Sequence, residues 1–296
     1  MTMNTTLFEA CSVGGDDEFK FDTTSLLCIS QHFEALEATE RQQTTSTNEW
    51  FLILCSSLVF FMQAGFAMLC AGCVRKKNLQ NTMLKNILDA CFVSLVYFAI
   101  GYGFAFGGQS TTTGLTFVGN KGFLCLGEEI DYSFWCMQLA FAATCVTIVA
   151  GTVAERLQMN AYMLYAVFLA GFVYPCTAHA LWSSNGFLSS TAPEPLGGIG
   201  AIDFAGAGVV HLLGGTTALC AAFVLGPRVG RFYDSHGRAF RTPKDLPGQS
   251  VALQLLGTMI LWFGCKAKPT CQFPTLADIF FSYPQGSVSM LGLPCC

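Results

Sequence analysis

Charge is what this chain lacks. Of its 296 residues only 11% are Asp, Glu, Lys or Arg, less than half of the about 25% that a water-soluble globular chain carries. So little charge cannot coat a folded surface in water, which excludes a soluble enzyme. A disordered chain and a collagen-like fibre are excluded by the same composition. The few Lys and Arg are scattered over short loops and the net charge is −4, so no nucleic-acid partner is expected. Metal-ligand spacing is missing too. The 15 cysteines include one CxxC, Cys70 to Cys73, with no second half, so no metal, redox site or cofactor is expected. Most cysteines, Cys55, Cys91 and Cys145 among them, lie in apolar runs and read as small hydrophobes. Cys11 and Cys28 stand in a polar segment and could pair if that segment is extracellular. The first thirty residues carry neither a basic stretch nor an apolar one, so a cleaved signal peptide is not expected.

What is present is apolar sequence in long runs. Hydrophobic residues make up 52% of the chain, and mean hydropathy is +0.49. After a polar segment, 1–49, with nine acidic residues against Lys20 and Arg41, five runs are long enough to cross a bilayer: 50–74, 87–106, 134–154, 161–182 and 204–225. A sixth, 251–264, falls short of the about 20 residues a span needs. Ten basic residues fall on one side: Arg75, Lys76, Lys77 and Lys85, then Arg156, then Arg228, Arg231, Arg238, Arg241 and Lys244. The loops 107–133 and 183–203 hold only Lys121. Basic loops face the cytoplasm, which puts the N-terminus outside. The fold class is all-α, a polytopic membrane protein.

Ionisable groups at membrane depth are functional candidates because they are costly there. Asp203 opens the fifth run and His211 follows eight residues later, about 12 Å along a helix and on roughly the same face. Ala207, Gly208, Gly214, Gly215 and Ala218 share that face, a small-residue stripe that lets a backbone or small solute approach. His211 reads either as a buried histidine bonded to a backbone carbonyl or as a pore group. Asp203 reads as a cap on the helix start, a role compatible with attracting a cation. Trp182, after Tyr174, Pro175 and His179, is a member of an aromatic belt or a cation–π wall. Phe141 stands among alanines, and Glu155–Arg156 reads as a surface or interhelix pair.

Several stretches together resemble the ammonium transporter family (Amt/Mep/Rh), its plant and algal branch in particular. They are Met62-Gln63-Ala64-Gly65-Phe66 with Val74-Arg75-Lys76-Lys77-Asn78, and Asn86-Ile87-Leu88-Asp89-Ala90. Phe141-Ala142 with Gly151-Thr152-Val153-Ala154-Glu155-Arg156 follows, then Tyr174-Pro175, His179 and Trp182-Ser183-Ser184. Asp203-Phe204-Ala205-Gly206 with Val209-Val210-His211 resembles the signature that opens the family's fifth span.

The resemblance implies a trimeric, eleven-span fold of two inverted five-helix repeats, conducting ammonium or ammonia. It also implies roles: Phe141 as a pore gate, Trp182 and Asp203 as the substrate recruitment site, and His211 as the first of two pore histidines. The organisation expected is an acidic extracellular tail over 1–49, a membrane domain over 50–264, and a divergent tail over 265–296. The membrane domain would be the first five-helix repeat plus part of a sixth helix. Partners would be ammonium or ammonia, the lipid bilayer, and like subunits in a homotrimer or a heterotrimer. The location would be a multi-pass cell-membrane protein, most simply in the plasma membrane.

The departures concern the end of the chain. After Leu261-Trp262-Phe263-Gly264 the family continues with an aromatic-rich run, whereas this chain reads Cys265-Lys266-Ala267-Lys268, and no second pore histidine follows. The sequence therefore reads as truncated within the sixth span. Lys266, Lys268, Pro269 and Pro274 are expected to stop that helix. The alternative function is a non-transporting fragment, or a regulatory or sensor subunit of transporter trimers.

Overall fold

A computed structural model describes residues 23–108, 114–127, 129–234 and 236–271. Cys11 and most of the 265–296 tail lie outside the described residues. The described residues form helices joined by loops, with pairing between extended segments limited to isolated bridges such as Thr116 with Gly186. The helices are α1 (Thr23–Cys73), α2 (Lys76–Phe106), α3 (Tyr132–Val153), α4 (Met159–Trp182), α5 (Ala207–Leu225) and α6 (Val251–Cys271). The first five are long and apolar enough to cross a membrane. The chain divides into two compact units at Trp50/Phe51.

In the first unit α1 already runs from Thr23, well before the expected start of the first span. The segment is rich in helix-forming Glu, Gln, Leu and Ala. Its Thr hydroxyls donate back along the helix, Thr39 to the Ala35 carbonyl at 2.8 Å and Thr45 to that of Arg41 at 2.9 Å. Polarity alone therefore does not end a helix.

In the second unit α3 is the central element, with Phe141, Ala142, Cys145, Val146 and Val149 fully or almost fully buried. Asp131 caps its start, accepting from the Ser133 and Phe134 amides at 2.9 and 3.1 Å. α2 and α4 each contain a π-helical turn, Tyr97–Gly101 and Leu169–Val173. They approach closely there: a methyl on Gly101 would stand 2.8 Å from the Ala170 carbonyl oxygen.

Two expectations need correction. α2 starts at Lys76, not at 87, so Lys85 is not a loop residue. It is buried, and its ammonium donates to the Leu157 carbonyl at 2.6 Å and lies 5.6 Å from the centre of the Tyr162 ring. The long stem packs while the head finds a carbonyl at the α3–α4 turn. α6 likewise does not stop at Lys266, but continues through Pro269 to Cys271. A proline removes one amide donor and leaves the turns before it intact, and here it stands within the last turn.

α6 packs on α1 at backbone distance. A methyl on Gly257 would fall 2.4 Å from the Leu69 amide nitrogen and 2.7 Å from the Gly65 carbonyl oxygen. One turn-pair further, Gly264 meets the Leu58 carbonyl and Gly72 meets the backbone of Ser250 and Gln254. Small residues at such crossings let helices in a membrane associate through van der Waals contact. One carbonyl in the last turn of α1 is satisfied from the same segment: Ser250 N–H and Gln254 Nε2 donate to Gly72 at 3.2 and 2.9 Å.

Candidate functional site

Candidate residues gather at two ends of the second unit, and those expected to act together, Phe141, Trp182, Asp203 and His211, belong to the first. At the first end α3, the end of α4 and the loop before α5 converge. The Phe141 and Trp182 rings lie 5.4 Å apart, inclined at 46°. The Trp182 indole N–H donates to the Asp203 carbonyl oxygen at 2.8 Å, which fixes the ring over the loop. Gly206, at φ +79°, leaves room for this: a methyl there would lie 2.9 Å from Val210 and 3.5 Å from the Trp182 ring. Only glycine adopts this left-handed conformation without strain.

Asp203 does cap α5, but not from the cap position. The helix begins at Ala207, Gly206 is the cap residue, and residues 203–206 are not helical. From upstream the carboxylate Oδ2 accepts the amides of Gly208 and Val209 at 2.9 and 2.8 Å, two of the donors a helix start leaves unpaired. The expected same-face relation of Asp203 and His211 therefore has no regular helix to rest on. His211 sits, half-buried, in a π-helical turn, Ala207–Leu212, and its amide donates to the Gly206 carbonyl at 3.0 Å. The small-residue stripe divides as well. Gly214 and Ala218 are buried, a methyl on Gly214 meeting the Cys145 carbonyl at 3.1 Å, whereas Gly215 faces open space. His179, about one turn before Trp182 on α4, joins elements: Nδ1 donates to the Ala105 carbonyl at 2.8 Å, and Nε2 then accepts from the Thr116 hydroxyl at 2.7 Å.

The second end gathers around Glu155, whose side chain has no exposed surface. Glu155 Oε1 accepts from the Arg75 amide at 2.9 Å, Arg75 Nε at 3.1 Å and Asn78 Nδ2 at 2.6 Å, while Arg228 reaches Oε2 at 3.3 Å. The expected interhelix pair exists with other partners: Arg156 turns away and donates to the Gly226 carbonyl at 3.0 Å. Burial pushes the Glu155 carboxyl up. Hydrogen bonds from Asn78 and Arg75 and the Arg75 charge together outweigh that effect, so the group ionises below its ordinary range. Glu155 also takes φ +62°, at the point where α3 turns back towards α4. A cavity of about 270 Å³ opens beside it, lined by Asn78, Thr82, Lys85 and Leu157 among others. Motif spacing had not singled out this hub, although the quoted Arg75-to-Asn78 and Gly151-to-Arg156 segments both meet in it.

The model of the Ammonium Transporter Family matches residues 50–266. The chain belongs to the ammonium transporter family. It is 48% identical over 225 residues to ammonium transporter 1 member 3 of Solanum lycopersicum, covering 76% of this chain and 47% of that protein. It is 45% identical over 219 residues to ammonium transporter Amt2 of Archaeoglobus fulgidus, covering 73% and 45%. Among solved structures a Sensor Amt Protein superposes at TM-score 0.67 with 33% identity, over 80% of this chain and 57% of that one. Candida albicans Mep2 superposes at TM-score 0.63 with 27% identity, over 79% and 50%. This family member, a multi-pass membrane protein, thus spans about half the length of the relatives it matches.

Proposed function

We propose that the chain supplies the first half of an ammonium-conducting membrane domain, in the plasma membrane, with its N-terminus outside and with like subunits around it in a homotrimer or heterotrimer. The observation that carries this reading is the Phe141–Trp182 pair held over the Asp203 loop, inside the segment that matches the family. Trp182 offers a ring face to a small cation losing its water. Asp203 adds negative potential at the same mouth. Phe141, fully buried behind Trp182, obstructs water. His211 is the hydrogen-bonding group further along. A bare cation pays heavily for hydrocarbon, so either ammonium hands its proton to water at the mouth and crosses as ammonia hydrogen-bonded to His211, or the proton follows along a histidine-lined wire, since imidazole exchanges protons near neutral pH.

The test is ammonium uptake by transporter-null cells expressing a form that carries these residues. Trp182→Leu is expected to weaken uptake at low ammonium, and His211→Ala to change its rate or selectivity. Unchanged uptake in both variants would overturn the assignments. The alternative is a non-transporting fragment or a regulatory subunit. α5 leaves Leu212, Leu219 and Phe223 uncovered, Phe223 at 90% exposure, a face that another polypeptide or lipid must cover. Co-expression with an intact family member separates the readings: depressed uptake and co-purification indicate a regulatory subunit.

A further inference from the structure

The first buried face of α2 is polar where a membrane helix is expected to be apolar. Thr82, Lys85, Asn86 and Asp89 are all buried there, at the i, i+3, i+4, i+7 spacing of one helix face. Thr82 and Lys85 line the cavity beside Glu155, and Asp89 lies seven residues further in, about 10 Å along the axis. The stripe thus leads from the cavity to a carboxyl group that is 1% exposed.

At its inner end four elements meet. Thr147 Oγ1 of α3 lies 2.7 Å from Gln63 Oε1 of α1, 2.9 Å from Asp89 Oδ2 and 2.8 Å from the Ala143 carbonyl oxygen. A hydroxyl carries one proton and cannot donate to three oxygens. Turning the Gln63 amide over makes it a donor, and Thr147 then still faces two acceptors with one proton. A proton on Asp89 Oδ2 resolves the count: Asp89 donates to Thr147, and Thr147 donates to Ala143. Among the described residues the ion pairs join Arg41 with Glu37 and Glu155 with Arg75 and Arg228, so no cation balances a charge on Asp89. Around the site Gln63 Nε2 and Asn86 Oδ1 are buried without a hydrogen-bond partner, and the Tyr162 hydroxyl faces the Asp89 carboxyl. The oxygens already stand at hydrogen-bond distance from one another, which suits a proton and leaves no space for a larger cation. The titratable groups that face Asp89 are Tyr162 and Tyr165 of α4; Cys70 of α1 lies beyond Tyr162, Cys145 of α3 beside Tyr165, and Lys85 one turn away on α2 itself.

We propose that Asp89 is a proton-binding site, filled and emptied through the polar stripe of Thr82 and Asn86 from water in the cavity beside Glu155. The proton comes from that water and returns to it, and no other group changes hands. Ionisable residues inside membrane proteins serve such relays. The site stands apart from Phe141, Trp182, Asp203 and His211, and the inference does not depend on their roles.

The experiment is infrared spectroscopy of the full chain in lipid nanodiscs, with carbon-13-labelled aspartate to assign the carboxyl band. At neutral pH the expected result is one protonated aspartyl band, absent from Asp89→Asn, that shifts in heavy water as its proton exchanges. Thr82→Leu and Asn86→Leu are expected to slow that exchange roughly tenfold, the scale of one lost hydrogen bond in the path. If Asp89→Asn does not fold, the labelled wild-type band and its loss on raising the pH decide the matter alone. No protonated aspartyl band at neutral pH would overturn the proposal. So would a band that never exchanges, or one whose exchange ignores both leucine variants.

Discussion

Replacing Glu155 by Gln tests the hub at the α3–α4 turn. The variant keeps the shape and one acceptor oxygen but loses the charge that faces Arg75 and Arg228. Removing one partner of a fully buried ion pair costs about 3–5 kcal/mol, whereas exposed pairs are worth about 0–1 kcal/mol. Here Glu155 is wholly covered while the two guanidiniums retain 24% exposure, so the loss falls between, at roughly 2 kcal/mol. For a unit of this size that lowers the unfolding midpoint by about 4–8 °C. Glu155→Ala loses every contact and should fall further. Glu155→Gly loses the same contacts but relieves the left-handed backbone, so it should recover about 1 kcal/mol relative to Ala.

The pH dependence has a definite sign. A carboxyl whose folded value is depressed contributes fully above its ordinary value, 4.5, and loses that contribution as pH falls through the lower folded value. The gap between wild type and Glu155→Gln should therefore be constant near neutrality and close only under acid conditions. The assay is thermal unfolding of the purified chain followed by size-exclusion fluorescence. A midpoint for Glu155→Gln equal to wild type, or a gap that widens on acidification, would refute the reasoning.

Two other perturbations follow from close backbone approaches. Gly257→Val places a branched side chain against the Leu69 amide, where even a methyl would stand at 2.4 Å, and should separate α6 from α1; cysteine cross-linking between the two helices should then fail. Gly206→Ala sets a side chain on a φ of +79° and against Val210, a cost of about 1–2 kcal/mol from the backbone alone. Its expected signature is a red-shifted, more quenchable Trp182 fluorescence, read against variants that lack the other tryptophans.

Hydropathy made the five spans legible because each is a long apolar run, and the tie from Asp203 to the start of α5 followed from its residue type. The start of α2 was not legible, since Lys76, Lys77 and Lys85 read as loop in any hydropathy window although Lys85 is buried on the helix. A window averages over faces, and the polar face of α2 is the one that turns inward. Glu155 was visible as an acid beside Arg156, but its partners Arg75 and Arg228 lie more than seventy residues away in either direction along the chain. No local pattern reports such a pairing. The glycines at the α1–α6 crossing were visible singly, and nothing in either helix names the other as its mate. For Asp203 and His211, one glycine with a positive φ and one π-helical turn changed the geometry that a regular helix would have given.

The glycine crossing of α1 and α6 bears on biogenesis. The apolar part of α6, Val251–Cys265, is too short to hold itself in a bilayer by partitioning alone. α1 leaves the ribosome far earlier, carrying Gly65 and Gly72 as a notch whose complement has yet to be made. α6 can thus enter the lipid as a guest of α1, its retention set by a fit between two backbones rather than by its own oiliness. Mutations in the notch of α1 should accordingly appear as topological errors of α6, some 180 residues downstream of the change itself.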